Sequence, residues 1–437
     1  MSLAVQPEPV MPPVADHPLR YALANELHAR PYPALEAPCH VVFMAFKEPV
    51  DAANRDRARD RAHLLDILDR NGTAHPAPEA THFSAPIGRA ELRWESHTEF
   101  VTYTAFVPGL HERPFDPAKA EVFPEDWVER APGRRLVSLL IRIEEMPADE
   151  AAALDRLEGW FVPDSLACSR IVDGAAVVAG DFRIDPAGHM RFSVFVKPGT
   201  GARRIGRIVT RLCEIETYRA MSMLGLMRAR TLNGRLNALD PKLSALVSGL
   251  DEIEQSPDEA LHELLKINAE LESLAVQFTF RFGATGAYEA IVHDRIDALR
   301  EERISGRQTF AEFMARRYDP AMRTVKSAEG RLRSMAERAQ RAAELLRTRV
   351  DVERSAQNQK LLESMDRRAD LQLRLQRTVE GLSVVAISYY AVSLAAYAVY
   401  PLTEPFGISK GMATAVLTPV VVLAVWLALR RIQRKMH

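Results

Sequence analysis

Two hydrophobic periods divide the chain. Up to about residue 200, apolar residues come in short β-branched and aromatic runs that alternate with polar ones; beyond it they recur every three or four positions. Alternation marks strands, and the longer spacing marks amphipathic helices. Strands are predicted at Cys39–Lys47, His82–Pro86, Ala90–Glu95 and Phe100–Val107. After a loop rich in Pro and acids they resume at Leu136–Ile143, Leu166–Val172, Ala175–Phe182 and Met190–Val196. Helical stretches at Asn54–Arg70 and Pro147–Leu157 follow the first strand of each set. Both halves thus read strand, helix, three strands, offset by about a hundred residues. The reading is an α+β domain over residues 19–200, built from two duplicated βαβββ units.

Residues 201–380 predict helices. Ile205, Ile208, Val209, Leu212 and Ile215 line one face of Ala202–Leu232, and Leu261, Leu264, Leu265, Ile267, Leu271 and Leu274 line one face of Pro257–Phe282. A short helix is expected within Asn233–Ser256, around Pro241, and another over Tyr288–Arg303. From Phe310 to Glu380 the only glycine is Gly330 and the only proline Pro320, so one or two long helices should run on from Pro320. Leu332, Met335, Ala339, Ala342 and Leu346 keep a coiled-coil spacing. The stripe fades at Arg349 and Glu353.

The C-terminal segment, residues 381–437, has a different pattern. Gly381–Tyr400 is twenty residues without a charge, and Met412–Leu429 is a second uncharged run of eighteen. About twenty apolar residues let a helix cross a bilayer, so the pair predicts a transmembrane hairpin joined by the Pro401–Lys410 loop. Arg374 and Arg377 precede the first span, and Arg430, Arg431, Arg434 and Lys435 follow the second. The positive-inside rule then places both termini and the preceding 380 residues on the cytoplasmic side of a bacterial inner membrane. In the first span Tyr389, Ser393, Tyr397 and Tyr400 share a face. That face suits helix–helix packing, or the lining of a pore. Packing is favoured, because no ionisable residue lies within either span.

Composition excludes more than it assigns. The formal net charge is -1, and no dense Lys/Arg block is present, so nucleic acid is not an expected partner. Three distant cysteines, Cys39, Cys168 and Cys213, give neither a disulfide framework nor a zinc motif. Eight of the twelve histidines fall within the first 111 residues without metal-ligand spacing, so no metal or other cofactor is expected. The Pro-rich residues 1–18 lack the pattern of a secretory signal and read as a disordered leader. No GxSxG, HExxH or phosphate-binding glycine loop appears; Gly199-Thr200-Gly201 before the Ala202 helix is short and has no lysine.

The most distinctive motif is Asn25-Glu26-Leu27-His28-Ala29-Arg30-Pro31. In an extended segment Glu26, His28 and Arg30 would share a face, where they could bind an anion or move a proton. They could equally fasten the segment to the sheet. With ETYRAMSMLGL at Glu216–Leu226, LLRTRVDVE at Leu345–Glu353 and the stretch Leu361–Tyr390, this motif resembles a bacterial family of predicted membrane-anchored proteins. That family is a domain of unknown function, usually with Val at the position of Leu27. The resemblance spans nearly the whole chain and implies no activity, substrate or catalytic residue. The layout also resembles the CorA magnesium transporters, but their Gly-Met-Asn signature is here only Gly411-Met412-Ala413, at the start of the second span. The expected function is a non-enzymatic, membrane-anchored protein, a scaffold or sensor that self-associates. The alternatives are a CorA-like oligomeric channel, and a tethered enzyme or anion-binding protein using the Asn25–Pro31 segment.

Overall fold

The computed structural model describes residues 16–26, 31–116, 122–147, 149–249, 257–304, 306–403 and 409–436. They divide into two compact units. One holds the described residues up to Ser248 together with Leu264–Gln340; the other holds the rest, Arg341 onward included.

In the first unit a short helix, α1 (Arg20–Glu26), precedes β1 (Cys39–Lys47), α2 (Arg57–Arg70), β2 (His82–Ile87), β3 (Ala90–Ser96) and β4 (Phe100–Pro108). After α3 (Glu125–Glu129) come β5 (Arg134–Glu145), α4 (Glu150–Trp160), β6 (Ala167–Ile171), β7 (Ala176–Ile184) and β8 (Met190–Val196). All eight expected strands are present. The two helices start three residues later than expected, because aspartates cap them: Asp56 accepts from Ala58 N at 2.9 Å and Asp149 from Ala152 N at 2.8 Å.

With the two-residue β9 (Glu302–Arg303), the described residues form a nine-stranded sheet in the order β2-β3-β4-β1-β5-β8-β7-β6-β9. Strand order is mirrored about the β1/β5 pair. Strand direction is not: β4 runs antiparallel to β1, whereas β8 runs parallel to β5. The repetition therefore extends to element order and strand order only.

Successive strand residues face opposite sides. Val42, Met44 and Phe46 of β1, with Leu92, Trp94, Val101 and Tyr103, meet Leu64, Ile67 and Leu68 of α2 and Trp127 of α3 in one core. On the same side of the second half, Phe195, Val177 and Cys168 pack with Ala153 and Leu157 of α4.

The long helices cover the other face. α5 (Ala202–Ser248) and α6 (Pro257–Asp297) are each continuous. The breaks expected after Leu232 and Phe282 do not occur. Leu232, Leu236, Leu239 and Leu243 are buried along one stripe through Pro241, and Phe282, Thr285, Glu289 and Val292 do the same past Gly283 and Gly286. Tertiary packing outweighs the helix-breaking propensity of these residues. α7 (Phe310–Arg317) then puts Phe310 and Phe313 against Phe182 and Phe192 of the sheet, with ring centres 4.3 to 5.9 Å apart.

α8 (Asp319–Thr403) begins in this unit and continues into the second; Leu332, Met335 and Ala339 are buried within the first. It carries on through Pro401, where a loop was expected. A proline so close to a helix end removes a single hydrogen bond and leaves little helix to disrupt. α9 (Lys410–Met436) follows. The end of α8 and all but the last residues of α9 are long and apolar enough to cross a membrane.

In the second unit, Tyr389 and Tyr397 are exposed, and the Ser393 hydroxyl donates to the Tyr389 carbonyl at 2.9 Å. The Lys410 ammonium sits 5.4 Å from the centre of the Tyr397 ring. Nothing is described for the side chain of Tyr400. From Glu353 to Val379 α8 is almost entirely exposed, including Leu361, Leu362, Met365, Leu371, Leu373, Leu375 and Val379.

Candidate functional site

On the face covered by α5, the first half of the sheet carries polar side chains where its second half carries aromatic ones. β3 supplies Arg93 and Glu95, with His97 in the turn beyond; β4 supplies Phe100, Thr102, Thr104 and Phe106, and β1 supplies Phe43. The strand register sets Arg93, Thr104 and Phe43 side by side, with Glu95 beside Thr102. α5 crosses above them with Val209, Thr210, Cys213, Glu214, Thr217 and Tyr218. The three–four spacing of that set keeps it on one helical face. Arg295 of α6 and Tyr32 complete a cavity of about 400 Å³, a size typical of small-molecule sites.

Its charges come as two pairs. Arg93 Nη2 meets Glu95 Oε1 at 2.9 Å, and Arg295 Nε meets Glu214 Oε2 at 2.5 Å. Each guanidinium directs one nitrogen at its glutamate, so most of each five-donor fork points elsewhere. The Thr102 hydroxyl is buried, its residue only 3 % exposed, and it has no hydrogen-bond partner among the described residues. Cys213 is also buried, and burial pushes its thiol well above the ordinary value. It is therefore a poor nucleophile.

The walls are held in place. Arg55 donates to the carbonyls of His97 at 2.7 Å and Phe100 at 3.1 Å, to that of Thr98, and to Ser96 Oγ at 3.1 Å, while its Nε binds Asp60 at 2.7 Å. One buried side chain thereby fixes the β3–β4 turn. Glu99 in that turn accepts from Arg281, from Tyr288 OH at 3.0 Å and from Lys47 at 3.3 Å. Burial pushes the Glu99 carboxyl up, but these three partners outweigh it and hold it below the usual carboxylate range. Tyr288 in turn stacks on Tyr218, with ring centres 5.5 Å apart.

Of the expected Asn25–Pro31 motif, Asn25, Glu26 and Pro31 lie among the described residues. Asn25 and Glu26 close α1, so the extended geometry does not hold at Glu26, whose backbone is helical. His28 and Arg30 lie outside the described residues. Pro31 immediately precedes Tyr32, which lines the cavity. The next residues are pinned to α5: Leu35 N donates to Ala202 O at 3.0 Å, and Gly206 leaves room for the Pro33 carbonyl.

The motif at Glu216–Leu226 forms part of the cavity roof and the seam behind it. Thr217 and Tyr218 face the cavity, Glu216 pairs with Arg219 at 2.6 Å, and Ser222 Oγ lies 2.8 Å from Tyr318 OH. Gly225 lies against Thr285 of α6. Arg93, Glu95 and His97 were not singled out from the sequence. Arg93 and Glu95 alternate along a predicted strand and His97 continues the spacing just beyond it, so together they present the three residue types sought at Glu26, His28 and Arg30.

The family model described as a protein of unknown function, DUF3422, matches residues 15–436, nearly the whole chain. The chain belongs to the DUF3422 family. No match is found among curated proteins. The DUF3422 match therefore takes in the sheet, the cavity and both apolar helices together.

Proposed function

We propose that this DUF3422 chain is a membrane-anchored sensor that binds a small molecule in the cavity between the sheet and α5. The observation that carries the reading is a preformed cavity lined by Thr102, whose buried hydroxyl has no partner among the described residues. A buried polar group left unpaired is costly, and a ligand toward which the Thr102 hydroxyl rotates would remove the cost. The absence of a catalytic motif and the high thiol pKa of Cys213 favour binding over chemistry. Titration of the full chain in detergent with a metabolite library tests the reading. Compounds that raise the melting temperature of wild type and not of Thr102→Val support it; an unchanged response across the library removes it.

In this reading the end of α8 and α9 form the anchor, with both termini on the cytoplasmic side of a bacterial inner membrane. The basic residues flanking the pair support that orientation. The three native cysteines are buried, so introduced ones can be labelled selectively. Ser409→Cys should react with an impermeant maleimide in intact spheroplasts, and Arg431→Cys only after lysis. The reverse pattern would overturn the orientation.

Self-association is the second part of the proposal, and the exposed stripe on α8 favours it. Leu361, Met365, Leu375 and Val379 share one helical face, opposite Glu363, Arg367, Asp370 and Arg374. Copies anchored in one membrane would bring such stripes together at the same height. Cysteine crosslinking at Met365 in membranes should yield a dimer, and a strict monomer there would exclude this arrangement.

A further inference from the structure

The paired charges of the cavity carry its ligand chemistry further. Arg93 and Arg295 supply two positive groups, and Glu95 and Glu214 two negative ones, so the lining has no net charge from these four side chains. A simple anion would have to lie beside two carboxylates, and a simple cation beside two guanidiniums. A molecule bearing both charges meets neither penalty. Its carboxylate can take the unused edge of a guanidinium in a bidentate contact. Its ammonium can reach the glutamate oxygens that Arg93 and Arg295 leave unoccupied: among the described residues, Glu95 Oε2 and Glu214 Oε1 receive no arginine hydrogen bond.

The rest of the lining fits a small zwitterion with an apolar or aromatic body. Phe43, Phe106 and Tyr218 provide apolar and aromatic surface, and Thr102 beside them carries a hydroxyl that has no partner among the described residues. Tyr32 closes one side from a segment outside the sheet and helices, held to α5 by Leu35 and Pro33. A side chain so placed can contact the ligand's far end without disturbing the charged floor.

The geometry points to a free α-amino acid or a closely similar small zwitterion as the ligand class, bound with its two charges distributed between the Arg93–Glu95 and Arg295–Glu214 pairs. This assignment rests on reading the cavity as a ligand site.

The test uses the full chain in detergent and isothermal titration with the twenty free amino acids, followed by the N-acetyl and carboxamide derivatives of any that bind. At least one amino acid should bind, and each derivative, lacking one charge, should bind about tenfold more weakly or worse. Arg93→Gln and Glu95→Gln should each weaken binding by a similar factor, while the substitution of Arg113, which lies off this cavity, should leave it unchanged. Since Arg93→Gln could perturb folding, Arg93→Lys serves as the conservative partner: it keeps the charge, loses the bidentate fork and should bind at an intermediate level. A derivative that binds as tightly as its parent overturns the zwitterion assignment. So does a library in which only singly charged or neutral compounds give Thr102-dependent binding, and that outcome leaves the cavity as a ligand site. Failure of every compound to give Thr102-dependent binding overturns both readings.

Discussion

Gly206 of α5 lies directly beneath the backbone carbonyl of Pro33, so that a Cβ at position 206 would overlap the oxygen. The obstacle is main chain, and no side-chain rotation can relieve it. Gly206→Ala should therefore push the Pro31–Leu35 segment off the helix, weaken the Leu35–Ala202 hydrogen bond and displace Tyr32 from the cavity. We expect a loss of about 1–3 kcal/mol in stability, measured by urea unfolding, together with weaker binding of any cavity ligand. Wild-type stability in this variant would mean that the segment is not docked as described.

Thr102 gives two effects of opposite sign. Valine has nearly the same shape and removes the unpaired hydroxyl, so Thr102→Val should be as stable as wild type or more stable, by up to about 1 kcal/mol. The same change should weaken ligand binding, because the lost hydroxyl is the group the ligand satisfies. Parallel thermal unfolding and titration of the two proteins reads both effects.

Glu99 holds two cations, the buried Lys47 and the partly buried Arg281, next to the β3–β4 turn. Glu99→Gln leaves them facing each other without a counter-charge, and should cost roughly 3–5 kcal/mol. Adding Lys47→Met should restore part of that loss by removing one of the stranded cations. If the double variant is no more stable than the single one, Lys47 does not share the Glu99 charge.

Acid should loosen the first unit through two histidines. His63 sits between Tyr103 OH and the Trp127 carbonyl, each at 2.9 Å, and His189 lies 2.8 Å from Ser138 Oγ. Burial lowers the pKa of both below the ordinary 6.5. The unfolded chain then takes up protons before the folded one does. Their contribution is complete above about pH 6.5 and falls as the pH drops toward the folded values, by at most about 1.4 kcal/mol per pH unit for each histidine. Unfolding between pH 7.5 and 5 should show this slope, and His63→Gln should reduce it. A flat profile in wild type would contradict it.

Strands proved more legible than helix ends. Alternation along β3 reflects one buried and one more polar face, the near-continuous apolar run of β1 reflects burial on both, and either pattern is written in the residues themselves. The continuity of α5 through Pro241 is not, because Leu236, Leu239 and Leu243 hold the helix together only once they are packed. Caps account for the displaced starts of α2 and α4: Asp56 and Asp149 were present in the sequence, yet which aspartate caps a helix depends on where the preceding strand releases the chain. The cavity was hidden for a related reason. Arg93 and Glu95 come from one strand, Glu214 from α5 and Arg295 from α6, and only register and helix crossing bring them together. By contrast, the two apolar runs at the C-terminus needed no tertiary information, since length and lack of charge define them locally.

The direction of β8 has a consequence for stoichiometry. Because β8 runs parallel to β5, the chain leaves it at the end of the sheet where β1 begins, and α5 then passes along the first half from Gly206 toward Phe100. Over the second half, the corresponding space holds Phe182, Phe192, Phe310 and Phe313 in mutual contact. The mirrored strand order would otherwise invite a pair of equivalent sites. Aromatic rings occupy the place of the second, so a ligand of the cavity should saturate at one molecule per chain.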